Sequence, residues 1–474
     1  MTDKGGTFHK SMGLLDATML VAGSMIGSGI FIVSADIARH TGSAGWLMIV
    51  WVICGFMTLV AALSYGELSA MFPKAGGQYV YLREAYGPLL SFVFGWTFFA
   101  VIQTATIAAV GVAFAKFTAY LFPWLDEDVY LLSIGDYRLS AAQLLSIGVI
   151  LLLTFINSRG IKSGKRVQTT LTLVKIFSLL FLVLAGFLAF KYEIWQLNWL
   201  NSNTWSLQKL NVDGGLERYS TFGAFGAISA AMVGALFSSD SWHSSSSVAG
   251  EIKNPKRNIG LSLALGTLIV TIVYLLTNLM YTSILEISQM AAAPKDRVGM
   301  SSAQEIFGPF GISLIAVMIM ISTFGCNNGL ILSGARVYYS MAQDGLFFKK
   351  VGTLNASGVP GYALWLQAVI ASLWCLSGKY GDLLDMITCV VVVFYVLAVA
   401  GVIKLRYTRP DFPRPYRAFG YPLLPIIYIL MGTAFIILLL IYKPDYTVPG
   451  IGITLLGIPI YYFVKNKNNQ IKDV

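Results

Sequence analysis

Apolar runs of 18 or more residues recur along the whole of this sequence, and each is long enough to cross about 30 Å of hydrocarbon at 1.5 Å per residue. Twelve such segments can be traced, near 13–38, 46–72, 89–121, 140–157, 167–190, 221–248, 259–284, 309–341, 362–378, 383–405, 422–442 and 447–464. The composition leaves little room for another fold class. The chain is 56% hydrophobic and 12% charged, whereas water-soluble domains carry about 25% charged residues. The expected fold is therefore all-α and integral to the membrane, with about twelve transmembrane helices. The first run is too long for a cleavable signal peptide, carries Asp16 and lacks a small-residue cleavage site.

The net charge of +10 reads as a topology signal and does not call for nucleic acid. The basic clusters Arg159–Arg166, Lys253–Arg257, Lys349–Lys350 and Lys404–Arg417 all fall on one side when the N-terminus is inside and the spans are even in number. Cys54, Cys326, Cys375 and Cys389 lie in or near spans, so neither a disulfide framework nor a zinc spacing is present. They read as apolar packing residues.

No polar interval is long enough for a soluble domain, so residues 1–474 are expected to form a single membrane domain. Spans one to five and six to ten can be aligned, each set opening with a helix interrupted by small and polar residues. Five is odd, so the second set must enter from the opposite face. That is the inverted repeat of secondary transporters, in which paired broken helices mark the binding site. The repeat covers 13–190 and 221–405, and 422–464 are accessory helices.

The first interruption is V-A-G-S-M-I-G-S-G-I-F, with Gly23, Gly27 and Gly29 around Ser24 and Ser28. Glycines weaken a helix by about 1 kcal/mol each, and unwound backbone inside a membrane survives only where protein or water satisfies it. Amides at the start of the outer half-helix attract an anion such as a carboxylate. The plainer reading of Gly23-x-x-x-Gly27 is a close-packed helix face. G-S-G lacks the G-K-[S/T] ending of a phosphate-binding loop.

The second interruption is L-F-S-S-D-S-W-H-S-S-S-S-V-A-G, with Ser238, Ser239, Asp240 and Ser241 at mid-membrane depth. Ser and Asp compete for helical hydrogen bonds, so a break before Asp240, with Asp240 near the start of the next half-helix, is expected. Carbonyls near Phe237 would then accept a substrate ammonium. An intramembrane Asp is by default functional, although simple N-capping is an equal alternative. Phe237 can close over a bound molecule or merely pack. Amide donors from one break and carbonyl acceptors from the other describe a receptor for a zwitterion, and an α-amino acid is the matching ligand.

These residues resemble the amino acid–polyamine–organocation transporters, and within them the L-amino-acid transporter branch that includes bacterial serine/threonine and alanine-type exchangers. The resemblance rests on G-S-M-I-G-S-G-I-F at 23–31, G-E-L-S-A-M-F-P-K-A-G-G-Q-Y-V-Y-L-R-E-A-Y-G-P at 66–88, F-x-x-x-x-W at 237–242 with E-I-K-N-P-K-R-N at 251–258, and F-G-C-N-N-G at 324–329. It implies the five-plus-five inverted-repeat fold, both termini in the cytoplasm, and sodium-independent exchange by alternating access. It also implies that Ile26, Gly27, Ser28 and Gly29 hold the substrate carboxylate and amino group. Phe237 and the backbone from Ser238 to Asp240 complete the amino-group site, and Ser241, His243 and Ser244 line the side-chain end. Asp240, Ser241 and His243 depart from the small residues of eukaryotic members, which points to small or polar neutral substrates. His243 can instead bond a neighbouring helix.

Lys175 stands in T-L-V-K-I-F-S-L-L, about 12 Å of helix rise from the membrane face, too far to snorkel comfortably. A buried ammonium must pair or deprotonate. The resemblance implies that Lys175 replaces a sodium ion and links the first helix to the scaffold. Proton coupling is the competing mechanism, since a desolvated lysine can release its proton. Glu67, Lys74, Arg83 and Glu84 in the 66–88 segment suggest an ion-pair gate, and Asn327 and Asn328 contact either the first helix, the ligand or a neighbouring helix.

An enzyme is not expected, with only His9, His40 and His243 and neither a triad spacing nor a metal cluster in the sequence. A channel would need a ring of carbonyls or charges around a pore. No cofactor is implied. Partners are expected to be an amino acid and the bilayer, with no nucleic acid. The loop between spans three and four lacks the cysteine through which animal relatives attach a heavy chain, so no disulfide-linked heavy chain is expected, and a bacterial inner membrane is the natural setting. A cationic amino-acid or polyamine carrier is the remaining alternative, with Asp240 as its discriminator.

Overall fold

A computed structural model describes residues 9–134, 137–211, 215–377 and 380–472. In chain order the helices are α1 (Leu14–Met25), α2 (Gly29–Thr41), α3 (Ala44–Met71), α4 (Gln78–Tyr86), α5 (Pro88–Leu121), α6 (Ala141–Ser158), α7 (Ile161–Leu188), α8 (Tyr192–Trp199) and α9 (Thr221–Ser238). They continue as α10 (Ser244–Ser247), α11 (Pro255–Ile284), α12 (Ile287–Ala291), α13 (Val298–Phe307), α14 (Pro309–Gln343), α15 (Gly361–Ser377), α16 (Tyr380–Thr408), α17 (Leu423–Tyr442) and α18 (Pro444–Lys472). Ten helices among the described residues are long and apolar enough to cross a membrane, and α1 with α2, bent by 42° at their junction, make an eleventh span. The shorter apolar α15 occupies the ninth expected segment, so each of the twelve segments holds a helix. Residue 378 of that segment, and residues 1–8 and 473–474 of the expected domain, lie outside the described residues.

The loops carry structure that hydropathy does not predict. Two antiparallel hairpins, β1 (Tyr130–Ile134) with β2 (Tyr137–Ser140) and β3 (Gln208–Leu210) with β4 (Leu216–Arg218), sit between spans. The second belongs to the long polar interval after α7, which also contains α8. Local chemistry accounts for several boundaries. Ser140 Oγ accepts from the Gln143 amide while Gln143 Oε1 accepts from the Ser140 amide, a capping box that starts α6. Gly42 ends α2 at φ +60, the left-handed conformation that costs glycine least.

Spans meet where side chains are small, as expected when lipid gives no hydrophobic drive between helices. Around Gly66 and Gly260, α3 and α11 cross almost backbone to backbone, a Cβ at Gly260 falling 3.4 Å from the Gly66 Cα. The first helix, α1, is wedged among α11, α7 and α14, and α2 packs on α9.

Charges gather at the two ends of the bundle. At the end where α1 begins, Glu67 is 1% exposed and takes Arg406 at 3.0 and 2.7 Å, with the Ala418 amide at 2.7 Å and Arg414 at 3.4 Å. Glu84 pairs with Arg409, Arg83 with Asp344, and Lys165 with Asp16. Glu67, Arg83 and Glu84 thus pair with residues outside 66–88 and not with one another. At the far end Arg39 holds Asp296 at 2.7 Å. Cutting one member out of a buried pair costs about 3–5 kcal/mol, whereas an exposed pair contributes about 0–1 kcal/mol. Glu67→Gln is therefore expected to lower the thermal midpoint of the purified protein by several degrees, and Glu84→Gln to leave it nearly in place. Equal midpoints for the two variants would contradict this ranking.

Candidate functional site

The chain leaves helical geometry at Ile26, whose φ and ψ are −74° and 95°, and resumes it at Gly29. A helix end buried in a membrane leaves carbonyls that need donors. Five consecutive carbonyls receive one from a side chain. Gly23 O accepts from Lys175 Nζ at 2.5 Å, Ser24 O from Cys326 Sγ at 2.9 Å, and Met25 O from Tyr274 Oη at 3.1 Å. Ile26 O accepts from Lys175 Nζ at 2.7 Å and Ser322 Oγ at 3.2 Å, and Gly27 O from Ser322 Oγ at 3.2 Å. The donors come from α7, α11 and α14. Lys175, 2% exposed, also reaches Ser322 O at 3.4 Å, so its ammonium lies among three carbonyl oxygens, the kind of hard donor set that suits a monovalent cation.

The second break follows Ser238. Ser239 N donates to Ala235 O and Asp240 N to Phe237 O, closing off α9, and Ser241 adopts φ +64. Helix resumes only at Ser244, where Ser244 Oγ donates to Ser241 O at 2.5 Å and Ser246 Oγ to His243 O at 2.7 Å. The expectation that Asp240 opens the following half-helix needs correction. His243 holds the cap position, because the positive-φ turn at Ser241 inserts extra residues between the break and α10. The Asp240 carboxylate accepts instead from Tyr395 Oη of α16, and Tyr395 Oη also meets His243 Nδ1 at 2.9 Å.

Both breaks share one side chain. Tyr274 Oη, 3.1 Å from Met25 O, is also 3.1 Å from Ser238 O. The start of α2 and the end of α9 lie against each other, since a Cβ at Gly29 would come within 2.6 Å of the Ser238 Cβ. The positive end of one helix dipole thus abuts the negative end of another. Ile26, Gly27, Ser28 and Gly29 are all buried, as are Ser238, Ser241, His243 and Ser244, while Phe237 and Asp240 are partly exposed. A cavity of about 20 Å³ lined by Thr58, Phe237, Asp240, Thr388, Tyr395 and Tyr428, among others, lies beside the second break. That is room for one water molecule, so the structure is a closed form in this region. A larger cavity of about 510 Å³, bordered by Lys74, Arg83, Glu84 and Asp344, opens at the end where α1 begins.

The two asparagines divide. Asn328 is tied into α6 and α7, accepting from Asn157 Nδ2 and donating to Gln168 Oε1, both at 2.9 Å. Asn327 donates to Ile107 O at 3.2 Å, and its Oδ1 is a buried acceptor with no hydrogen-bond partner among the described residues. Sequence reasoning did not single out Tyr274, Ser322 or Tyr395, and it read Cys326 as packing. Only the position of Ser322 and Cys326, within or beside F-G-C-N-N-G, hinted at a role.

The amino acid permease family model matches residues 12–464. The serine/threonine exchanger SteT of Bacillus subtilis is 29% identical over 463 residues, covering 97% of this chain and 97% of that protein. The b(0,+)-type amino acid transporter 1 of Mus musculus is 27% identical over 463 residues, covering 97% and 89%. The cystine/glutamate transporter of Homo sapiens is 27% identical over 451 residues, covering 95% and 84%.

Proposed function

Because this chain belongs to the amino acid permease family and is a multi-pass membrane transporter of amino acids, not an enzyme, we propose that it exchanges small or polar neutral L-amino acids by sodium-independent alternating access. The observation that carries this reading is the ladder of capped carbonyls from Gly23 to Gly27. Side chains of α7, α11 and α14 supply these donors, so the unwound segment is held beside the second break by the protein itself. The first-turn amides after Ser28 suit the substrate carboxylate, and the carbonyl end of α9 near Phe237 suits its ammonium. Ile26, Gly27, Ser28, Gly29, Phe237 and the backbone of Ser238 to Asp240 are the proposed α-amino and carboxylate contacts. Ser241, His243 and Ser244 are the proposed side-chain contacts, with Asn327 Oδ1 available to a ligand donor.

Lys175 takes the role that a cation would play, an ammonium bonded to Gly23 O, Ile26 O and Ser322 O, which supports sodium independence. Exchange is supported by the similarity to SteT, named for exchanging serine and threonine. Breaks at the first helix of each half support the inverted repeat over 13–190 and 221–405, with 422–464 as accessory helices. The basic clusters at the α1 end support cytoplasmic termini, and a bacterial inner membrane fits the same similarity. All four cysteines, Cys54, Cys326, Cys375 and Cys389, are buried, which favours a chain without a disulfide-linked heavy subunit.

In proteoliposomes, labelled serine uptake is expected to rise about tenfold when the lumen contains unlabelled serine or alanine and to be indifferent to replacing sodium with choline, as for obligate exchange between two faces of one site. Uptake that ignores internal amino acid and follows an imposed pH gradient would overturn exchange.

A further inference from the structure

We infer that Tyr395 is a specificity-determining residue, whose hydroxyl occupies the Asp240 carboxylate and so withholds it from substrates with cationic side chains. The inference rests on the reading of the break at 237–244 as part of the substrate site.

Asp240 is the sole acidic residue in either break, and an unpaired carboxylate in a largely closed membrane site would favour any substrate bringing its own cation. This carboxylate has a partner already, the Tyr395 hydroxyl. A phenol has one proton. If that proton is given to Asp240, the 2.9 Å contact with His243 Nδ1 must be an imidazole N–H donating to the phenol oxygen, which assigns the Nδ1–H tautomer. The chain of donors runs in one direction, from His243 to Tyr395 to Asp240. The Tyr395 hydroxyl, oriented by His243, and the Ser241 backbone amide are the donors that balance the carboxylate among the described residues.

The Tyr395 ring has little freedom to leave. It lies 5.1 Å from the Trp242 ring and 6.2 Å from that of Tyr65, and Tyr65 and Trp242 are themselves 4.5 Å apart edge to face. Such aromatic pairs fix ring orientation as well as burying area. The cavity that Asp240 and Tyr395 line measures about 20 Å³ and is walled by α3, α16 and α17 beside the break. It admits a water, or a single ammonium or guanidinium N–H in the place of the phenol O–H. Removing that one hydroxyl takes the side-chain donor from Asp240 Oδ1, beside the cavity that Phe237 also lines. A substrate ending in an ammonium or guanidinium group, such as lysine, ornithine or arginine, supplies the missing donor. A neutral side chain such as that of serine brings at most an uncharged hydroxyl and no positive charge to the carboxylate.

The test is a competition between labelled lysine and labelled serine, read as the ratio of their kcat/KM values in proteoliposomes and of their affinities for the purified protein. Tyr395→Phe keeps the ring and is expected to raise the lysine-to-serine ratio about tenfold, the worth of one hydrogen bond to a charged group. Adding Asp240→Asn to Tyr395→Phe is expected to return the ratio to the wild-type value, which a merely structural tyrosine would not do. A ratio unmoved by Tyr395→Phe overturns the inference. If Tyr395→Phe does not purify as a monodisperse protein, Asp240→Asn in the wild-type background decides. A ratio that holds supports the occupied carboxylate, and a tenfold fall means that lysine already reaches Asp240 and overturns it. The neutral-substrate reading fails separately, when wild-type protein takes up no neutral amino acid, whereas the inference is judged on the change in ratio.

Discussion

Replacing Lys175 by methionine is expected to reduce amino acid transport about a hundredfold while leaving a protein that still inserts and can be purified. Methionine nearly matches the lysine stem in length, so packing against α1 is largely kept. What disappears is the donor shared by Gly23 O, Ile26 O and Ser322 O. Ser322 Oγ still reaches Ile26 O, but Gly23 O loses its side-chain donor, and a buried acceptor left without one costs about 1–3 kcal/mol. The unwound segment relieves that cost by rewinding or shifting, and either movement displaces the amides of Ser28 and Gly29. A loss of about 3 kcal/mol in the competent arrangement is roughly a hundredfold in rate. Initial rates of uptake, together with serine binding and thermal midpoint on the same preparation, separate this from misfolding. Wild-type rates in Lys175→Met would show that the carbonyl ladder does not depend on the ammonium.

The second large effect concerns the contact between the two breaks. Gly29→Ala introduces a Cβ that meets the Ser238 Cβ at 2.6 Å and its Cα at 3.1 Å, distances that force α2 and α9 apart. Overpacking of this kind costs about 1–3 kcal/mol. Here the strain falls on the one place where the start of α2 faces the end of α9, so uptake is expected to fall at least about tenfold. Ser238→Gly removes most of what the new methyl strikes, at the loss of a bond from Ser238 Oγ to Gly234 O that lies within one helix. The double variant is therefore expected to recover a substantial part of the lost uptake. A double variant no better than Gly29→Ala would mean that the two helix ends do not need their close spacing, and that glycine at 29 serves another purpose.

These two residues also mark how far sequence reasoning reached. Gly29 was legible, because three glycines in seven positions of an apolar run weaken a helix wherever that run ends up. Lys175 was legible because an ammonium deep in hydrocarbon must find a partner. Its partners were not, because Gly23 and Ile26 lie about 150 positions away along the chain, and nothing in T-L-V-K-I-F-S-L-L says which face of α7 looks at α1. Ser322 and Tyr274 escaped notice for a related reason. A serine or tyrosine in a membrane helix is unremarkable until a particular carbonyl stands opposite its hydroxyl.

Asp240 shows the limit most clearly. Residue type and depth marked it as consequential, and cap chemistry suggested that it would begin the next half-helix. The positive-φ turn at Ser241 and the hydroxyl of Tyr395 on α16 moved it into a different arrangement.

The sequence by itself determined the all-helical membrane character, where the helical segments run and the positions of both breaks, because hydrocarbon thickness and the demand for satisfied backbone groups act on local composition. Only the tertiary structure decided which side chains cap the unwound carbonyls and what the buried carboxylate bonds. Those outcomes depend on the rotation and depth of one helix against another, and helices in a membrane leave that choice to close packing between small residues and to hydrogen bonds between distant ones.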